Sequence, residues 1–331
     1  LIKFKRIVVL GDGGWGTTLA ILLSRKGASV TLWSAFPEYA RFVDRTRRNP
    51  YYLKGVVLPR GIVVTSRPDV LMSADVIVVA VPSEYLRSVL RRTRDFVPPS
   101  CAVVSVVKGI EVTSLMRMTQ VIREVWGTQR LAVLSGPTIA MEVARGIPST
   151  AVAASHDEAL RDAVQALFMT RALRVYTNAD VVGVELGGSL KNIIAIACGI
   201  SDGLGFGTNT KAAIVSRGLA EMGRLGAAMG ARRDTFAGIA GLGDLVTTCF
   251  SGLSRNHYVG EAIGKGRTLK SVISRMKMVA EGVPTTRSVY RLAKKYDIEM
   301  PIAQEIHKVL FRNKSPRRAV GDLMTRRRKS E

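Results

Sequence analysis

The stretch Arg6-Ile7-Val8-Val9-Leu10 runs straight into Gly11-Asp12-Gly13-Gly14-Trp15-Gly16, and no other junction constrains the fold as tightly. The first part is a short apolar run rich in β-branched residues, which reads as a buried strand; residues 17–25 then read as a helix and Ser29–Trp33 as the next strand. Each glycine of the loop has a physical task. Gly11 permits a tight turn, Gly13 lets the backbone approach a pyrophosphate, and Gly16 lets helix and strand pack closely, leaving phosphates on the helix N-terminus. A glycine pattern alone is weak, but strand, pattern, helix and strand in this order point to a dinucleotide site. An acidic residue ending the second strand would bond the ribose 2′-hydroxyl of NAD. Here that strand ends Trp33-Ser34-Ala35-Phe36, and the first carboxylate is Glu38, beyond Pro37. Arg41 either meets a 2′-phosphate or sits on a solvated helix, so both NAD and NADP stay open.

Apolar runs continue at residues 61–66, 74–81, 102–107, 131–134, 150–154 and 173–177, and Pro82-Ser83 opens a helix through Leu90. This alternation implies an α/β chain with a doubly wound, parallel, Rossmann-type sheet, whose ligands bind beyond the C-terminal ends of the strands. That rule makes the loop 11–16, Pro82-Ser83, Lys108 and Gly136-Pro137-Thr138 interesting together. Lys108 leaves its strand directly after Val107, although a lysine in that position is commonly just solvated. Beyond Asp180 the strand signals stop, and residues 184–200, 210–229, 268–276, 286–295 and 302–311 read as helices joined by glycine-rich or polar loops. The organisation expected is a dinucleotide-binding sheet domain over residues 1–180 and an all-α, substrate-binding C-terminal domain over 181–331, in line with the two domains that a 331-residue chain favours.

In the helical half, Lys191 has Gly187, Gly188, Ile194 and Ala195 one turn away, so no carboxylate can pair with it locally. It is either a lysine lying along apolar surface with its ammonium in water or the group that handles a proton. The two glycines could let a ring or a backbone approach beside it. Gly238-Ile239-Ala240-Gly241-Leu242-Gly243-Asp244-Leu245 reads as a loop placing one carboxylate close to backbone groups or a ligand, and Asp244 serves equally well as a helix N-cap. The loop Ser251-Gly252-Leu253-Ser254-Arg255-Asn256 surrounds a guanidinium with donors, either to grip a phosphate with forked bonds or as a capping turn with an exposed arginine.

Other classes are disfavoured. The 49 Lys and Arg against 26 Asp and Glu leave a formal charge of +23, which attracts anions. That excess is spread along the chain with no recognition motif or stacking surface, so no nucleic-acid partner is expected. Cys101, Cys198 and Cys249 are odd in number and far apart, which argues for free thiols in a reducing, cytoplasmic compartment. The N-terminus enters a strand with no signal-peptide core, and Glu185, Lys191 and Asn192 interrupt the most apolar stretch, so no membrane span is expected. His156, His257 and His307 lack metal-ligand spacing, and no nucleophile elbow is present; His257 reads as a surface residue and no metal is expected.

Taken in order, the loop 11–16 with Trp15, Val81-Pro82-Ser83, Lys108-Gly109-Ile110-Glu111, Leu134-Ser135-Gly136-Pro137-Thr138, residues 185–192, Gly241-Leu242-Gly243-Asp244, Leu253-Ser254-Arg255-Asn256, Val279-Ala280-Glu281-Gly282-Val283 and Glu299-Met300-Pro301-Ile302 make this chain similar to the NAD(P)-dependent glycerol-3-phosphate dehydrogenase family. The match covers nearly the whole chain. The resemblance implies an enzyme that interconverts dihydroxyacetone phosphate and sn-glycerol 3-phosphate for glycerophospholipid synthesis, as a cytoplasmic homodimer using NAD or NADP. It implies that Lys191 is the catalytic acid/base, with Lys108 lining the site beside it. It carries substrate binding onto Lys108, Gly136, Thr138, Lys191, Asp244, Ser254, Arg255 and Asn256, and cofactor contacts onto Gly14, Trp15, Lys108, Ala140, Arg255, Val279 and Glu281. Family members often have serine where this chain has Gly14, and His or Arg where it has Ala35 and Phe36. The first departure removes a side-chain bond to the pyrophosphate; the second weakens the case for NADPH. A related two-domain dehydrogenase acting on another hydroxy acid or sugar acid is the alternative.

Overall fold

Strands β1 (Arg6–Leu10), β2 (Ser29–Trp33), β3 (Ile62–Thr65), β4 (Val76–Val79), β5 (Ala102–Ser105), β6 (Leu131–Ser135), β7 (Ser149–Ala154) and β8 (Leu173–Asn178) form one sheet in the order β3-β2-β1-β4-β5-β6-β7-β8. The structure is a computed structural model that describes residues 4–128 and 130–327. Contacts divide the chain into two units, one built from residues up to Lys108 with Met116–Glu185, the other from Gly109–Leu115 with residues from Leu186 onward.

The first unit shows why the strands read as unbroken apolar runs. In β1, Ile7 and Val9 join a core on one face with Leu19 and Leu23 of α1 (Gly14–Arg25), Val43 of α2 (Pro37–Thr46) and Leu160 and Val164 of α6 (Glu158–Phe168). Val8 and Leu10 join a second core on the other face with Leu86 and Leu90 of α3 (Ser83–Thr93) and Val121 and Ile122 of α4 (Met118–Trp126). Alternate residues of one strand feed opposite faces, so a sheet covered on both sides needs apolar residues throughout. The strand order reverses at β1, which pairs in parallel with both β2 and β4, and this is the switch point beyond which ligands bind in such sheets.

One expectation fails: the sheet is not wholly parallel. β7 runs antiparallel to β6, with Ser135 opposite Val152, while β8 is parallel to β7. The link between β6 and β7 contains only the five-residue α5 (Ala140–Ala144), which lies against α1 through Thr18 Oγ1 donating to the Ala140 carbonyl at 3.0 Å. A parallel return needs a full crossover; this link instead delivers the chain to β7 at the edge where β6 ends.

The second unit is helical: most of α7 (Val181–Gly203), then α8 (Thr208–Ala228), α9 (Arg233–Ala237), α10 (Asp244–Phe250), α11 (Arg255–Gly264), α12 (Leu269–Ile273), α13 (Gly282–Lys295), α14 (Pro301–Phe311) and α15 (Pro316–Met324). Segment 109–115 is held to it by Ser288 Oγ donating to the Ile110 carbonyl at 2.9 Å and by Ser189 Oγ donating to the Gly109 carbonyl at 3.2 Å. Helix α7 has the length and apolarity of a membrane span, yet 94% of its apolar window is buried within the protein. Glu185, in the part of α7 that belongs to the first unit, is satisfied by an ion pair with Arg117 and by the Thr119 backbone N–H at 2.8 Å. The stretches expected as loops are also more ordered: residues 239–243 form a π-type turn that passes into α10, and Arg255 and Asn256 open α11. Their glycine and serine content has low helix propensity, which tertiary packing overrides.

Glu221 of α8 closes the N-terminus of α14, accepting from Ile302 N at 2.7 Å and Ala303 N at 3.2 Å. Burial pushes its carboxyl up from the ordinary 4.5 to about 7, against the two backbone bonds, which lower it. A carboxyl raised on folding favours the folded state below its unfolded value, and that stability is lost as pH rises from there to the folded value. The loss across this window is on the order of 3 kcal/mol. Glu221→Gln is expected to flatten the stability profile between about pH 4.5 and about pH 7, read as urea midpoints; an unchanged slope in the variant assigns the window to another group.

Candidate active site

The loop after β1 is shaped for close approach. Gly11 has φ of +118°, and a Cβ there would lie 2.9 Å from the Ala80 carbonyl carbon. A Cβ on Gly16 would overlap the Gly11 carbonyl and come within 3.1 Å of the Ala80 side chain, whereas one on Gly13 would meet nothing within 4 Å. Packing is therefore tight where strand and helix touch and open at Gly13, where a phosphate is expected. Helix α1 starts at Gly14 with neither a side-chain cap nor an acidic residue in its first turn. Its leading N–H groups and positive dipole end are the kind of site that takes an anion. These residues fit a dinucleotide pyrophosphate. Gly14 also has a local cause: a Cβ there would lie 2.7 Å from the Tyr52 carbonyl oxygen, so the following chain occupies the space that serine would need. Trp15 packs on the core, and Ala140 is tied to α1 through Thr18.

At the ends of β5 and β6, three expected residues meet. Lys108 Nζ donates to the Gly136 carbonyl at 2.9 Å, Thr138 Oγ1 donates to the same oxygen at 3.1 Å, and Gly136 holds φ of +140°. Lys108 is thus directed along the strand ends rather than outward.

In the second unit Lys191 is only 5% exposed, which removes the reading of a lysine reaching for water. Its Nζ is ion-paired with Asp244 Oδ1 and donates to Thr248 Oγ1 at 2.6 Å. Asp244 is 1% exposed and is the first residue of α10 rather than a residue capping it from outside. Thr248 follows Asp244 by one helical turn, so both present to the lysine from one face. Thr248 was missed from the sequence; reading a helix from Asp244 onward would have revealed it. Beside the lysine, the Ala240 backbone fills the space where a Gly187 side chain would stand, so a close backbone approach is what the glycine allows.

Ser254 caps α11, its Oγ accepting from His257 N at 3.2 Å. Arg255 is exposed, its Nη1 donates to the Val279 carbonyl at 2.8 Å, and the Glu281 charge acts on it, so Arg255, Val279 and Glu281 form one group. Asn256 is buried, donating to Asn192 Oδ1 at 2.9 Å and accepting from Gly282 N at 2.9 Å. Asn192 directly follows Lys191, so it joins the lysine turn to the Ser254–Asn256 turn; it too was missed, because nothing in its neighbours points to Asn256. His257 is not at the surface as expected: it is 9% exposed, with Nε2 2.7 Å from Asp202 Oδ2.

A family model described as NAD-dependent glycerol-3-phosphate dehydrogenase N-terminus matches residues 6–161, and one described as the C-terminus of the same enzyme matches residues 180–321. The chain is 52% identical to a glycerol-3-phosphate dehydrogenase (NAD(P)+) from Pelotomaculum thermopropionicum, over 97% of this chain and 93% of the relative. It is 49% identical to the protein of the same description from Geobacter sulfurreducens, over 99% of each. The crystal structure of glycerol-3-phosphate dehydrogenase from Coxiella burnetii superposes with a TM-score of 0.94 at 36% identity, covering 97% of this chain and 99% of that one.

Proposed function

This chain belongs to the NAD-dependent glycerol-3-phosphate dehydrogenase family, and from that premise we propose that it interconverts dihydroxyacetone phosphate and sn-glycerol 3-phosphate with Lys191 moving the proton. The observation that carries the reading is the buried Lys191 held by Asp244 and Thr248, a cation with no surface role. When bound, NAD(P)H supplies the hydride for the carbonyl carbon. Lys191 Nζ gives its proton to the oxygen that becomes the C2 hydroxyl and takes it back in the oxidation. Asp244 and Thr248 fix where the ammonium points, so Asp244 acts by positioning. Arg255 holds the substrate phosphate, a planar guanidinium matching two phosphate oxygens, with Ser254 and Asn256 as neighbouring donors. The bonds from Asn256 to Asn192 and from Gly282 to Asn256 set that amide's orientation.

The work divides between residues 1–180, which bind NAD or NADP through Gly11, Gly13, Gly14, Trp15, Gly16 and Ala140, and residues 181–331, which bind substrate. By the family resemblance, Lys108, Gly136 and Thr138 are assigned to substrate and Lys108 also to the cofactor, and Arg255, Val279 and Glu281 are assigned to the cofactor. The open space at Gly13 supports the dinucleotide assignment, and the shared Gly136 carbonyl groups Lys108 with Thr138. The reading includes a cytoplasmic homodimer feeding glycerophospholipid synthesis, as the family resemblance implies, and the three buried free thiols accord with a reducing compartment.

The test is absorbance loss from NADH and from NADPH with dihydroxyacetone phosphate. Turnover dependent on that substrate is expected, and Arg255→Ala should raise its KM by about tenfold or more, the worth of a charge-assisted bond. An unchanged KM would send the phosphate elsewhere, and reduction of 2-keto acids in its place would favour the hydroxy-acid alternative.

A further inference from the structure

We infer that Asp12 reads the adenosine ribose of the dinucleotide, its carboxylate accepting the 2′-hydroxyl of NAD and rejecting the 2′-phosphate of NADP, so that this chain selects NAD. The inference rests on the dinucleotide reading of the loop 11–16.

Leu10 pairs with Trp33, and Gly11 N donates to the Trp33 carbonyl at 2.9 Å, so the next residue lies level with Ser34 at the C-terminal end of β2. The Asp12 carboxyl lies close enough to the Ser34 side chain for that hydroxyl to favour its ionised form. That strand end is where a dinucleotide sheet places the acid that holds the ribose 2′-hydroxyl. Ser34, Ala35 and Phe36 supply no such acid from β2 itself. The fold brings one to the same place from the end of β1.

Asp12 is only 7% exposed, and its Oδ2 has no hydrogen-bond partner among the described residues. A buried carboxylate oxygen left unbonded costs free energy, so its presence calls for a donor from outside the chain. Burial pushes the Asp12 carboxyl above the usual carboxylate value, the Ser34 hydroxyl working against the shift, which is the signature of a group short of donors.

The Asp12 carbonyl accepts from Asn49 Nδ2 at 2.7 Å and from Thr17 Oγ1 at 3.1 Å, and Asn49 Oδ1 in turn accepts from Tyr39 OH at 2.6 Å. The residue is held in place by its backbone while its acid group is left a bond short. A ribose hydroxyl supplies that donor. A phosphate on the same ribose position carries no strong donor and brings up to about two negative charges toward a carboxylate in a low-dielectric setting, where like charges repel strongly.

The competing carboxylate is Glu38, which is exposed in the first turn of α2. The experiment titrates the full chain with ADP-ribose and with its 2′-phosphate, two redox-inactive probes, by calorimetry. The parent chain is expected to bind ADP-ribose at least about tenfold more tightly, a difference of about 1.4 kcal/mol. Asp12→Asn keeps the volume and should cut the ratio by about tenfold, mainly by improving affinity for the 2′-phosphate. Glu38→Gln should leave the ratio unchanged. Equal affinities in the parent, which requires no variant to fold, overturn the inference while leaving the dinucleotide reading intact. So does an unaltered ratio in folded Asp12→Asn, or a shift in Glu38→Gln instead. If neither probe binds, the dinucleotide reading falls and this inference with it.

Discussion

Lys191→Met is expected to reduce dihydroxyacetone phosphate at least about a hundredfold more slowly than the parent chain while still binding the dinucleotide, because loss of a general acid typically costs 10² to 10⁴-fold. Methionine keeps the length of the apolar stem and removes only the ammonium, so the packing of a residue that is 5% exposed is largely retained. A lysine that served only to neutralise Asp244 would predict something else. Turnover by the folded protein would then survive, because a structural pair can be lost without touching the reacting oxygen. The measurement is single-turnover rate beside NADH affinity: a rate within a few-fold of the parent at normal affinity removes Lys191 from the proton step.

The second large effect falls on Asp244. Asp244→Asn leaves the Lys191 ammonium buried beside a neutral amide, and breaking a buried pair from one side costs roughly 3 to 5 kcal/mol, since a buried charge loses its carboxylate partner. Thr248 Oγ1 remains as a partner for Nζ, at 2.6 Å, which places the expected loss toward the lower end of that range. Combining Asp244→Asn with Lys191→Met removes both charges, so the double variant should be more stable than the sum of the two single losses allows. Its activity should stay at the low level of Lys191→Met. This cycle separates the two roles: stability returns with charge balance, and turnover does not. Additive stability losses would mean that the pair is not coupled, and recovered turnover would mean that neither residue handles the proton.

Much of this site is legible in the amino-acid sequence. The loop 11–16 carries its meaning in spacing, because turn, phosphate approach and helix packing are decided within a few residues. The helices α7 and α8 were legible for the same reason, their apolar periodicity being local. Lys191 could be singled out as a cation on an apolar helix, but its fate could not be read, because Asp244 lies 53 residues further on. The turn at residues 239–243 and the first turn of α11 carry loop-like sequence, because their glycines and serines have weak helix preference. The relation of Thr248 to Asp244 exists only on a helix, so that sequence does not display it.

What the amino-acid sequence determined alone is therefore the alternation of elements, the glycine cradle and the residue types available for chemistry, all set by interactions along a few turns of chain. The tertiary structure decided which of those residues meet. It turned β7 against β6, gave Lys191 its buried carboxylate, tied Arg255 to the Val279 carbonyl, and set the Asp12 acid beside the end of β2. Each of these pairings joins separate elements of the chain, and their energies depend on burial and on distances that no local pattern encodes.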